Sequence, residues 1–132
     1  MDFRKFYIPT VMAGLASLSP IVFSQAAFAD GWPTSVVGNW SINADNYTGI
    51  LSITNQATTG NCRTISGSIF GDSLTGFYCP YSGRINFIRR NNFNQVQVYS
   101  ANISQTNAST VTIGGLFTDY AQPGEYSFFG SK

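Results

Sequence analysis

From Val37 onward one pattern repeats: apolar residues at alternate positions in short runs, separated by clusters of Gly, Asn, Asp, Ser and Pro. Successive side chains of an extended strand point to opposite faces, so a period of two is the signature of a half-buried strand. The runs are Val37 to Asn43, Gly49 to Asn55, Cys62 to Phe70, Leu74 to Cys79, Arg84 to Arg90, Gln95 to Ser104, Thr110 to Phe117 and Glu125 to Phe129. Between them stand Asp45-Asn46, Thr59-Gly60-Asn61, Gly71-Asp72, Ser82-Gly83, Asn91-Asn92 and Pro123-Gly124, residues that accept positive φ or preset a turn. Ile65, Gly67 and Ile69 share one face, as do Ile85 and Phe87, Val96 and Val98, and Val111, Ile113, Gly115 and Phe117; the opposite faces carry Thr64, Ser66 and Ser68, or Gln95 and Gln97. One face buried and one wet is the pattern of an antiparallel meander.

Glycines inside the runs, at Gly49, Gly67, Gly76, Gly114 and Gly115, weaken a strand unless the sheet bends sharply or another backbone comes close. Coiling a meander into a narrow barrel creates that need. The expectation is an all-β fold, a small antiparallel up-and-down β-barrel of about eight short strands, with a β-sandwich as the alternative. An outer-membrane barrel needs lipid-facing strands of about 9–11 residues, longer than most of these runs, so no membrane insertion of the domain is expected. Thr64 to Asp72 resembles Thr112 to Asp119 with one residue deleted, which two similar hairpins explain as well as duplication does.

The amino-terminal segment reads differently. Arg4 and Lys5 precede an uncharged apolar stretch from Tyr7 to Phe23, and Ala27-Phe28-Ala29 sets small residues two apart ahead of Asp30. These are the basic, apolar and cleavage regions of an export signal, while Pro9 and Pro20 argue against a membrane anchor. Residues 1–29 are expected to be a signal peptide cleaved after Ala29, leaving residues 30–132 as a single domain, secreted or periplasmic. The domain carries five acids and five bases, Arg63, Arg84, Arg89, Arg90 and Lys132, a balance that recruits neither nucleic acid nor an anionic membrane.

A domain of about 100 residues has a small core, and a covalent staple helps it. The only cysteines, Cys62 and Cys79, lie symmetrically about Phe70-Gly71, where a hairpin turn is expected, so the two should face each other on neighbouring strands. A disulfide closing that loop stabilises by about 3 kcal/mol in the chain-entropy model. An exported domain meets a compartment in which such a bond persists.

Gly38-Asn39-Trp40 opens the first run as a G-x-W, and Tyr47-Thr48-Gly49-Ile50-Leu51-Ser52-Ile53 follows a polar turn. This opening resembles that of the avidins and lipocalins, the calycin-type eight-stranded barrels. The resemblance implies that Trp40 caps one end of a barrel, that Gly38 lets the lead chain pass beneath it, and that an arginine, Arg89 or Arg84, stacks over the Trp ring. Ile42, Ala44 and Asn46 stand where biotin-binding avidins carry an N-x-L-x-S series, so biotin is not the expected ligand. The chain is also similar to the small periplasmic inhibitors of secreted metalloproteases, whose flexible lead enters the target's active site. The lead Asp30 to Ser35 has suitable length, but the cysteines fall on other strands than that family would use.

The chain has no His, which removes Ser-His-Asp and Cys-His catalysis and the commonest metal sites. Asp45, Asp72 and Asp119 fall in expected turns, where hydrogen bonding to the local backbone is the ordinary role. No enzyme activity, cofactor or metal is therefore expected. Tyr78, Tyr81, Phe93, Tyr99 and Tyr120 lie near loops or strand ends, and Arg89-Arg90 is the only basic cluster; Tyr78, Tyr99 and Arg90 are the candidate ligand contacts. Sequons begin at Asn39, Asn46, Asn102 and Asn107. Two functions remain: a binding module holding a small apolar or glycan-like ligand at the open end of a barrel, or an inhibitor or surface-interaction domain that engages an exported protein through its lead and loops.

Overall fold

The computed structural model describes residues 32–132; the expected signal peptide lies outside the described residues. Among the described residues eight strands follow one another without a helix: β1 (Gly38–Ala44), β2 (Tyr47–Gln56), β3 (Arg63–Ile69), β4 (Asp72–Cys79), β5 (Arg84–Arg90), β6 (Val96–Asn107), β7 (Thr110–Asp119) and β8 (Tyr126–Ser131). Each pairs antiparallel with the next, and β8 returns to β1 through Ile42↔Gly130 and Asn43↔Phe129, closing an up-and-down barrel. Closure leaves no free edge along which another chain could add a strand.

Two of the two-residue connections take positive φ at both positions. Asp45 and Asn46, with φ of 50° and 74°, join β1 to β2, and Phe70 and Gly71, at 50° and 83°, join β3 to β4. Positive φ at both central residues gives the turn whose twist matches the flanking strands. The Asn43 side chain secures the first by accepting the Asn46 N–H at 2.9 Å. The second sets the β3–β4 register so that Arg63 faces Tyr78, which brings Cys62 opposite Cys79, and those two cysteines form a disulfide.

The inward-facing residues form one continuous core. Phe87, Tyr99 and Phe117 stack in succession with ring centroids 4.8 Å apart, and Phe128 meets Tyr99 edge-on at 5.0 Å. These rings occupy the axis of the barrel, so its interior is packed side chain. So narrow a barrel requires close approach between strands. A side chain at inward-facing Gly67 or Gly76 would run into the backbone of the next strand, at Ser52 and Asn86 respectively. Gly114 departs from that expectation: it points outward into open space. The two similar segments are also not two hairpins, for Thr64 to Asp72 spans β3 and its turn whereas Thr112 to Asp119 lies within β7.

A plugged end and an open mouth

The two ends of the barrel differ. At the end where β1 begins, the lead chain crosses from the β4–β5 turn to β1. Trp32 lies against Gly83, the Tyr78 hydroxyl donates to the Pro33 carbonyl at 2.6 Å, and the Gln56 side chain donates to Thr34 O at 2.9 Å and accepts from Val36 N–H at 3.0 Å. Val36 is then fully buried, and the Trp40 indole donates to its carbonyl at 3.0 Å. Trp40 itself has no exposed surface. The cation over its ring is Lys132, with Nζ 5.7 Å from the centroid and donating to Val37 O at 2.6 Å.

Neither arginine suggested by the lipocalin resemblance reaches Trp40. Arg89 is near the end of β5, at the opposite mouth, and Arg84 points outward and donates to Ser100 Oγ at 3.1 Å. The chain's last residue supplies the cation because the β1–β8 pairing carries the carboxyl terminus back beside the start of β1. Tyr78, expected among the ligand contacts, is buried in the plug, away from the mouth. Burial pushes its phenol up to about 12, with Arg63 pulling the other way.

At the opposite end the barrel is open. Phe70 turns the chain with a left-handed backbone that bulky residues seldom adopt, a conformation that costs on the order of 1–3 kcal/mol. The turn sends its ring over Gly49, where a Cβ would collide with it. The Arg89 guanidinium lies 5.0 Å from the Phe70 centroid and donates to Asp72 Oδ2 at 2.8 Å and to Gln97 Oε1 at 3.2 Å. Gln97 passes the network on: its amide donates to Asp119 Oδ1 at 3.2 Å, and its carbonyl also accepts the Tyr99 hydroxyl at 2.8 Å. Burial raises the Tyr99 phenol above its ordinary range; the adjacent Arg89 opposes this and Asp119 reinforces it.

Two adjoining hollows result. One, of about 290 Å³, is walled by Tyr47, Phe70, Tyr99 and Phe117 with Arg89 and Gln97 at its edge. The other, of about 210 Å³, is polar and bounded by Asp72, Arg89, Asn91, Gln95, Asp119 and Tyr120. Around the rim Tyr47, Phe93 and Tyr120 are largely exposed.

The sequence-stated contacts divide accordingly. Tyr99 and Arg89 meet in the mouth, Tyr78 is sealed at the far end, and Arg90 projects from the outer wall. Asp72 and Asp119 are not turn residues hydrogen-bonded to local backbone; they end their strands and turn into the mouth, because Asp72 shares the parity of Leu74 and Asp119 that of Phe117. The expected faces of β6 are reversed: Val96 and Val98 point outward, Val98 with much of its surface exposed, and Gln97, expected on the wet face, turns into the mouth. Gln97 alternates with Tyr99 on the inward face of β6, a signal its polarity concealed, and nothing in Phe70's sequence position announces a positive φ.

Closed eight-stranded barrels with one plugged end and a polar, aromatic-lined mouth form the structural class to which this protein belongs. No protein-family model, curated protein or solved structure matches the chain.

Proposed function

We propose that the protein is an exported, non-enzymatic binding module whose mouth holds one ring of a neutral, glycan-like ligand. The observation that carries this reading is the pairing of aromatic faces, Tyr47, Phe70 and Phe117, with a fan of fixed donors and acceptors from Arg89, Gln97, Asp72 and Asp119. A sugar ring presents both complements, apolar C–H faces and equatorial hydroxyls, and small-ligand sites are generally apolar hollows with a few placed polar groups. Two carboxylates against one guanidinium disfavour an anion at the centre of the mouth. The backbone strain at Phe70 is of the kind that clusters at binding sites. The G-x-W opening and the plugged end support a calycin-like relationship, in which the open end is the binding end. The Cys62–Cys79 disulfide is consistent with an oxidising compartment, as export requires.

The inhibitor reading needs a projecting lead, and the lead from Trp32 to Val37 is instead held under the barrel by Tyr78, Gln56 and Trp40. Titrating the isotopically labelled protein with neutral hexoses, N-acetylhexosamines and their short oligomers tests the proposal. Shifts confined to Tyr47, Phe70, Arg89, Gln97 and Phe117 are expected, with Arg89→Gln removing them. No response to the whole panel, or a response mapping to the lead and the plugged end, would overturn it.

A further inference from the structure

Charge on this barrel is distributed unevenly. Among the described residues every carboxylate side chain is at the mouth end: Asp45 in the β1–β2 turn, Asp72 at the start of β4, Asp119 at the end of β7 and Glu125 before β8. The outer faces of β3 to β6 consequently carry no acid, and their only charged side chains are Arg84 and Arg90. Arg84 is engaged with Ser100, whereas Arg90 makes no ion pair among the described residues.

On the same wall lies a groove of about 860 Å³ reaching from Val98 on β6 across Ile88, Thr75, Phe77, Thr64 and Ser66 to Asn55 and Gln56 on β2. It crosses four inter-strand spacings, or roughly 19 Å at the usual separation of strands. Its lining is mostly apolar and wholly uncharged. Phe77, Ile88 and Val98 are 52%, 36% and 47% exposed, an unusual concentration for the outside of a small barrel. Register places Ile88 between Thr75 and Val98, and Arg90, the next outward residue of β5, between Ser73 and Val96. Arg90 does not line the trough; it stands one outward position beyond Ile88, on the mouth side of the trough's Ile88–Val98 end, and has no carboxylate partner among the described residues.

We propose that this outer groove binds a single acyl chain bearing an anionic head, with the hydrocarbon along Val98, Ile88 and Phe77 and the head on Arg90. Length and apolar lining suit a chain, and the lone guanidinium with no competing acid on the wall suits an anion. A second copy of this surface would bring arginine against arginine, which disfavours a symmetric dimer through it. The site is separate from the mouth and does not depend on the reading given to it.

The test is displacement of fluorescent cis-parinaric acid from the folded protein by sodium oleate or oleyl alcohol, each below its aggregation threshold. Oleate is expected to bind more tightly than the alcohol. Arg90→Gln should weaken oleate about tenfold, the worth of one charge-assisted hydrogen bond, and leave the alcohol unchanged. Phe77→Ser and, independently, Ile88→Thr should weaken both ligands, with circular dichroism confirming the fold. Absence of probe binding, equal affinity for acid and alcohol, or loss of oleate through Arg89→Gln in the mouth would each overturn the proposal.

Discussion

The Tyr78 hydroxyl donates to the Pro33 carbonyl at 2.6 Å across 45 residues of sequence, tying the lead chain to the end of β4. Tyr78→Phe removes this one bond and leaves the ring in place. Stability should fall by about 1 kcal/mol, and amide exchange at Thr34 to Val37 should accelerate more than in β5 or β6. Unchanged exchange in the lead would show that Trp40 and Gln56 hold it without Tyr78.

The same phenol makes the fold sensitive to alkali. Its folded value is about 12 against an ordinary 10.0, so the neutral form is favoured in the folded state. The stabilisation is complete below the unfolded value and is lost as pH rises from about 10 toward 12, because the unfolded chain releases the proton first. The unfolding free energy from urea denaturation should decline across that window by on the order of 1 kcal/mol per pH unit. Tyr78→Phe should flatten the decline, leaving the smaller part that Tyr99 contributes in the same direction.

Cys62 and Cys79 close the β3–β4 hairpin at the plugged end, 17 residues apart. Non-reducing peptide mapping should recover them as one linked species. Replacing both by Ala should destabilise by about 3 kcal/mol. A loss near zero would mean that the hairpin turn at Phe70-Gly71 alone orders the unfolded chain to the same degree.

Trp40 is buried on all sides at the plugged end, so Trp40→Ala should cost about 3–5 kcal/mol in chemical denaturation. Lys132→Gln, which removes the cation over that ring together with its hydrogen bond to Val37 O, should cost about 1–2 kcal/mol, the cation part less at high salt.

Phe70 separates stability from binding. Phe70→Asn provides the residue that its turn prefers and relieves the backbone, offsetting the lost ring contacts, so stability should change by no more than about 1 kcal/mol. The mouth would lose a wall, and the sugar-induced shifts at Gln97 and Arg89 should disappear. Retained binding in this variant would remove Phe70 from the site.

Much of the barrel was legible in the chain because the strand period is local. Alternation at Ile65, Gly67 and Ile69, or at Val111, Ile113 and Phe117, reports which face is buried without reference to any partner strand. The Cys62–Cys79 pairing was legible for a similar reason: a hairpin about Phe70-Gly71 makes two distant positions neighbours by symmetry. Periodicity does not say which strand end faces which way once the sheet closes. Arg89 could therefore be assigned to the Trp40 end in sequence, although the up-and-down order places it in the mouth.

By itself the sequence determined the strands, the tight turns, the covalent staple and, outside β6, the buried faces, since each depends on contacts between near neighbours or on a periodic choice of face. Only the tertiary structure decided that Lys132 and not an arginine covers Trp40, which way β6 faces, and that Asp72, Asp119, Gln97 and Arg89 converge. Those contacts join residues from strands that become neighbours, or share an end, only when the barrel closes, and closure is a property of the whole sheet.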